Sequence, residues 1–212
     1  MKVCEIFTSI QGESTYAGLP CTFVRLTGCN LRCTYCDTQY SYDNGIEMTS
    51  IDIIGRVRHA GIKLVEITGG EPLLQREETL LLTGALLDEG YEVLIETNGS
   101  RSIQDIDKRA VIILDVKTPG SGMSEEMDFS NFALLKPSDE VKFVICDRAD
   151  YDWSKKMLTT FSLTEKAKVL FSPALGMIQP SQLAGWIVED RLAVRLNMQI
   201  HKYIFGPDER GV

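Results

Sequence analysis

Along the chain, short apolar runs alternate with longer amphipathic stretches, and most runs end in glycine or polar residues. Cys21-Thr22-Phe23-Val24-Arg25-Leu26-Thr27 is rich in β-branched and aromatic residues and predicts a strand. Residues 64–68, 91–96, 111–116, 141–146, 169–171 and 192–200 predict others. Residues 50–60 predict a helix: Ser50 is placed to cap it, Ile51, Ile54 and Val57 recur at helical spacing, and Gly61 is placed to end it. Residues 78–89 read as a leucine-rich helix stopped by Gly90. Residues 179–188 read as another, with Leu183, Trp186 and Ile187 on one face.

Strands alternating with helices imply a parallel sheet with crossover helices. In such α/β folds, ligands bind at the C-terminal ends of the strands. Those ends here are polar: Thr27-Gly28-Cys29, Thr68-Gly69-Gly70-Glu71, Thr97-Asn98-Gly99 and Lys117-Thr118-Pro119-Gly120. These loops are expected to converge on one site. A chain of 212 residues falls short of the ~250 of a full eight-fold barrel. The expectation is a single domain over 1–212, built as a partial, open β/α barrel of about six parallel strands. Periodicity alone leaves an open sheet as the alternative.

Charge narrows the partners. With 22 Lys and Arg against 30 Asp and Glu, the net charge is −8. That is a poor balance for nucleic acid, which needs a basic footprint. No apolar run approaches the ~20 residues of a membrane span, and no signal peptide is recognisable ahead of the first strand-like residues. The expected compartment is the cytosol, where thiols stay reduced. The six cysteines therefore read as metal-binding or catalytic where they cluster, and as small buried hydrophobes at Cys4, Cys21 and Cys146.

They cluster in Gly28-Cys29-Asn30-Leu31-Arg32-Cys33-Thr34-Tyr35-Cys36-Asp37-Thr38. Three thiolates at C-x-x-x-C-x-x-C suit an iron–sulfur cluster with one iron left open, or a zinc site. Zinc needs a fourth ligand, for which His59, His201, Cys4 and Cys21 are the candidates. A redox dithiol at Cys33 and Cys36 leaves Cys29 unexplained.

This cysteine motif, with Tyr35 before its last ligand and Thr68-Gly69-Gly70-Glu71-Pro72 after the next strand, resembles the radical S-adenosylmethionine (SAM) superfamily. The resemblance implies a 4Fe-4S cluster on Cys29, Cys33 and Cys36, whose open iron chelates SAM. Reductive cleavage of SAM then gives a 5′-deoxyadenosyl radical that abstracts a substrate hydrogen atom. Glu5 to Gly18, with its Gln11-Gly12-Glu13 turn, together with Phe23-Val24-Arg25-Leu26 and Cys36-Asp37-Thr38, is similar to the 7-carboxy-7-deazaguanine synthase family. That likeness is specific over residues 1 to about 120 and looser beyond, apart from Gln199-Ile200-His201-Lys202.

The family resemblance implies hydrogen abstraction at C6 of 6-carboxy-5,6,7,8-tetrahydropterin, ring contraction and loss of ammonia, in the queuosine and other deazapurine pathways. It implies Mg2+ held through the Thr38 hydroxyl, whereas the residue type alone favours a helix cap. Ile10, Gln11, Gly12, Arg25 and Thr68 are then expected at the pterin. An Arg inside an apolar strand suits a carboxylate, although a surface ion pair and an ordinary turn at Gln11-Gly12 are the plain alternatives. Tyr35, Asp37, Gly70, Glu71, Asp115, Val116 and Lys117 are expected at SAM. Asp115 and Val116 depart from the Ser-Pro-Lys-like sequence of many relatives, so only Lys117 matches that segment by residue. Glu96 and Asn98 fit either the cofactor or strand-end capping, and His201 either proton transfer or a structural place in a strand. The implied partners are a reduced flavodoxin or ferredoxin and a second copy of the chain in a homodimer. A glycyl-radical activase, or a non-catalytic zinc- or cluster-bearing module, are the competing readings. Neither accounts for the Gln11-Gly12-Glu13 turn and the Gly69-Gly70 loop together.

Overall fold

The computed structural model describes residues 1–207 and 209–211. Its strands are β1 (Lys2–Ile10), β2 (Pro20–Leu26), β3 (Ile46–Glu47), β4 (Leu64–Gly69), β5 (Glu92–Thr97), β6 (Val111–Val116), β7 (Glu140–Ile145), β8 (Lys168–Pro173) and β9 (Arg195–Leu196). Its α-helices are α1 (Ser50–Ala60), α2 (Arg76–Asp88), α3 (Arg148–Phe161), α4 (Leu163–Lys166), α5 (Pro180–Glu189) and α6 (Ile200–Phe205). All strands join one nine-stranded sheet in the order β3-β1-β2-β4-β5-β6-β7-β8-β9. From β2 to β9 every neighbouring pair is parallel, whereas β1 runs antiparallel to both β2 and β3. β3 and β9 are free edges, so the sheet does not close.

Side chains alternate between two faces of each strand. On the outer face, Val24, Ile67, Ile95 and Leu114 meet Val57 of α1 and Leu82 and Leu86 of α2 in the main core. Each such buried side chain contributes about 1.5–3 kcal/mol. The inner face is layered. Its lower positions, Cys21, Leu64, Leu94, Val111 and Ile113, form a second apolar cluster with Phe23. Its upper positions, Arg25, Thr68, Glu96, Asp115 and Lys142, are polar and line a cavity.

Several expectations are corrected locally. Thr49, not Ser50, caps α1, through a reciprocal pair with Asp52. Ile51 is exposed, and Ile53 takes its place in the buried stripe. Gly61 does end the helix, at φ 71°, where glycine avoids the Cβ clash of the left-handed region. The long strand expected over 192–200 shrinks to β9, because Asn197 turns to bond Ser172 and the Ile200 N–H donates to Gly12, starting α6. His201 is therefore on a helix. α3 lacks a counterpart in the sequence reading, since most of its buried residues, Asp150, Tyr151, Ser154 and Leu158, are polar or aromatic.

Candidate active site

The cavity, of about 650 Å3, opens at the C-terminal ends of the parallel strands. The loop after β2 brings Cys29, Cys33, Tyr35, Cys36, Asp37 and Thr38 to its wall. Ile10, Gln11 and Gly12 reach it from the end of β1, Arg25 from β2, and Thr68 and Gly70 from β4. Glu96, Asn98, Asp115, Lys117 and His201 line it as well.

Two expected cofactor residues do not present their side chains there. Glu71 is fully buried, and its carboxylate accepts the Leu73 N–H at 2.9 Å, the Asn98 N–H at 2.7 Å and the Thr97 hydroxyl at 2.7 Å. It ties the Gly69-Gly70 loop to the end of β5 and so acts through position. Burial raises its pKa, and those bonds work against the rise. Val116 points to the opposite face and packs in the main core, as alternation along β6 requires of a residue between Asp115 and Lys117.

The glycine loop has no room for a side chain. A Cβ on Gly70 would overlap the Gly28 carbonyl oxygen and approach the Cys29 Cβ at 2.7 Å. The Glu71 N–H donates to that same carbonyl at 2.7 Å, so the glycine loop and the cysteine loop are pressed together. Gly12 is equally confined: a Cβ there would overlap the His201 imidazole, the contact by which α6 closes over the Gln11-Gly12 turn. Lys202 pairs with Asp37 and ties α6 to the cysteine loop. Burial works against that carboxylate's charge, but Lys202 outweighs it and the Asp37 pKa falls to about 2.

Burial pushes the Cys29 and Cys33 thiols up, Lys117 pulling the other way at Cys33; metal ligation would hold them as thiolates. Among the described residues no three His, Cys, Asp or Glu side chains converge to hold one ion. Thiolates of a cubane bind separate irons and stand apart. The candidate fourth ligands for zinc are dispersed. Cys21 lies in the lower apolar cluster, His59 is exposed on α1, Cys4 sits on β1, and His201 lines the cavity on α6. Beside the thiols, the Tyr35 hydroxyl and Asp115 Oδ1 are buried without a hydrogen-bond partner. Buried polar atoms are normally bonded, so these two fit a polar cofactor next to the cluster.

Charge in the cavity is organised around Lys142. Its ammonium lies 2.9 Å from Glu13 and 3.3 Å from Asp115, and it also pairs with Glu96. Burial disfavours its charge, yet Asp115, Glu13 and Glu96 raise its pKa well above the ordinary value. The same cation holds Glu13 ionised below the usual range despite its burial, and Lys117, 3.0 Å from Asp115, does the same for that carboxylate together with Lys142. Glu66 behaves oppositely: burial, then the charges of Glu96 and Glu13, raise it well above 4.5. Arg25 donates from Nε to Glu5 at 2.8 Å, and the Tyr40 hydroxyl donates to the same oxygen at 2.8 Å. Thr38 makes no side-chain cap; its hydroxyl donates to Asp37 at 2.9 Å.

Sequence reasoning missed Lys142, Glu66 and Glu5. The signal was available for the first two: each is a charge within an apolar strand, the argument applied to Arg25.

Comparison with known proteins shows the family and the fold. The sequence profile described as the Radical SAM superfamily matches residues 23–161. A 7-carboxy-7-deazaguanine synthase of Koribacter versatilis is 44% identical, covering all of both chains. That of Chlorobaculum tepidum is 45% identical over all of this chain and 97% of its own. The crystal structure of QueE from Escherichia coli superposes with a TM-score of 0.77, at 22% identity, covering 93% of this chain and 92% of its own, which speaks for the fold.

Proposed function

This chain belongs to the radical SAM superfamily and, within it, to the 7-carboxy-7-deazaguanine synthase family, and on that premise we propose that it converts 6-carboxy-5,6,7,8-tetrahydropterin to 7-carboxy-7-deazaguanine with loss of ammonia. The observation that carries this reading is likeness over the full length of both chains, joined to one cavity that faces both the cysteine loop and residues 10–12. Such a product belongs to queuosine and related deazapurine synthesis.

The superfamily implies a 4Fe-4S cluster and SAM. We assign the cluster to Cys29, Cys33 and Cys36, and SAM to the neighbourhood of Gly70, Tyr35, Asp37, Asp115 and Lys117. When bound, this pair supplies the 5′-deoxyadenosyl radical. The protein's share is binding and orientation. Arg25 keeps the ends of its guanidinium for a bidentate carboxylate, since Glu5 occupies only Nε. Thr68 stands beside Arg25 in register on the adjacent strand, and Ile10 and Gly12 close the near wall. Lys142 keeps the Glu13, Glu96 and Asp115 carboxylates in place under the substrate. α6 and His201 cover the turn and exclude water.

Mg2+ is proposed at the Thr38 hydroxyl. The adjacent Asp37 carboxylate supports a hard-cation site. A reduced flavodoxin or ferredoxin is the proposed electron donor. The exposed Tyr203 and Ile204 of α6 offer apolar surface for the proposed homodimer. Among the described residues no helix is long and apolar enough to cross a membrane. The cytosol and a single functional unit over 1–212 complete the proposal.

Reconstituting Cys33→Ala with iron and sulfide tests the assignment. It is expected to lack the broad visible absorbance of an intact cluster and all reductive cleavage of SAM. Retained cleavage contradicts the ligand set.

A further inference from the structure

Gln11 is among the residues expected at the pterin, yet both ends of its side chain are engaged within the protein. Its Oε1 accepts the Glu13 N–H at 2.8 Å, and its Nε2 donates to Glu66 Oε2. What this arrangement presents to the cavity is Glu66. The residue is only 3% exposed but lines the cavity wall. Among the described residues no protein donor bonds its Oε1. It occupies an inward position of β4 one layer below Thr68, opposite Phe23 of β2. An acidic side chain held this deep without a bonded cation costs stability, so packing alone does not explain it.

We infer that Glu66 is the residue that recognises the amino-pyrimidine edge of the substrate, with Gln11 as the residue that positions it. The inference rests on the pterin reading above. A 2-amino-4-oxopyrimidine carries two adjacent donors, the exocyclic amino group and N3–H. The ring's donors favour the ionised form, so on binding Glu66 releases its proton to solvent and its carboxylate offers two acceptors side by side; charge-assisted bidentate pairs of this kind are strong and directional. Phe7 and Phe23, stacked with centroids 4.9 Å apart, give the cavity an aromatic wall beside Glu66. Arg25 stands in register with Thr68, two residues further along the sheet than the Phe23–Glu66 pair. Two residues of strand span about 6.6 Å, comparable with a bicyclic pterin. A ring whose amino edge meets Glu66 therefore carries its 6-carboxylate to the level of Arg25.

The inference concerns selectivity, and stable oxidised ligands test it without turnover. The reconstituted holoenzyme with SAM is titrated with 6-carboxypterin and with 6-carboxylumazine, which bears an oxo group in place of the 2-amino group, following ligand fluorescence. Wild type is expected to prefer the pterin by roughly 100-fold or more, because lumazine keeps N3–H but sets its 2-oxo acceptor against one carboxylate oxygen and leaves that oxygen unpaired. In Glu66→Gln the amide sets a donor against the ring's donors, and the preference is expected to fall to within about threefold. Glu66→Asp, which withdraws the carboxylate by one methylene, is expected to weaken 6-carboxypterin at least ~10-fold while leaving 6-carboxylumazine unchanged. A full preference surviving in Glu66→Gln, an unchanged pterin affinity in Glu66→Asp, or equal binding of both ligands by wild type overturns the inference alone. Binding of neither ligand by wild type overturns the pterin reading and the inference with it.

Discussion

Lys142 Nζ lies 3.3 Å from Asp115 Oδ2, and the two residues are direct cross-strand partners on β7 and β6. The same ammonium reaches Glu13 from the turn after β1 and Glu96 from β5. One cation therefore gathers carboxylates from three separate elements at the floor of the site.

Removing that cation leaves Glu13 and Glu96 without their partner, while Asp115 keeps Lys117 at 3.0 Å. Lys142→Met is expected to lose about 3–5 kcal/mol of stability, measured by urea unfolding of the purified protein. Lys142→Arg, which keeps the charge, should recover most of it. A loss below about 1 kcal/mol in the methionine variant would show that the pairs are too solvated to matter.

Gly70→Ala should disturb the cysteine loop selectively. The added methyl meets the Gly28 carbonyl and the Cys29 Cβ, both backbone-fixed neighbours. Overpacking of this kind costs about 1–3 kcal/mol. Equilibrium binding of SAM to the reconstituted variant is expected to weaken at least ~10-fold, the factor that 1.4 kcal/mol represents, and unchanged affinity would contradict the close approach.

Glu66 gives stability an unusual dependence on pH. Burial and the facing charges of Glu96 and Glu13 hold its proton on above 4.5, with Lys142 and Arg25 opposing them. The folded chain thus binds this proton more tightly than the unfolded chain, and stability falls as pH rises through that interval. Glu66→Gln removes the titration. Its melting temperature without ligand should exceed that of wild type near about pH 8, and the difference should vanish near about pH 4. A constant difference across this range would mean that Glu66 is not perturbed.

Thr38→Ala is expected to diminish the stimulation of turnover by magnesium while leaving the visible spectrum of the cluster intact. Full stimulation in the variant would return Thr38 to a plain loop residue.

Much of this arrangement was legible from the residues. The strands that became β2, β4, β5, β6, β7 and β8 announced themselves by β-branched runs, and the loops after several of them by glycine and polar residues. The cysteine spacing pointed to the metal chemistry. α3 was hidden because its buried face carries Asp150 and Ser154, so the apolar period is broken. The alternation of Val194, Leu196 and Met198 mimicked a strand, which Asn197 and the Gly12 carbonyl interrupt through bonds made far away in sequence. For Glu71 and Val116 the motif indicates only where the backbone runs, and their side chains turn away from the cavity. The face to which each side chain turns was decided by strand alternation and by the donors around Glu71.

The most direct test of the account is an anaerobic incubation of the reconstituted protein with dithionite, SAM, Mg2+ and 6-carboxy-5,6,7,8-tetrahydropterin, read by mass spectrometry. The account predicts 5′-deoxyadenosine together with 7-carboxy-7-deazaguanine. 5′-Deoxyadenosine without the deazaguanine, from protein carrying its cluster, would contradict the assigned substrate, and the absence of both would contradict the proposed chemistry altogether.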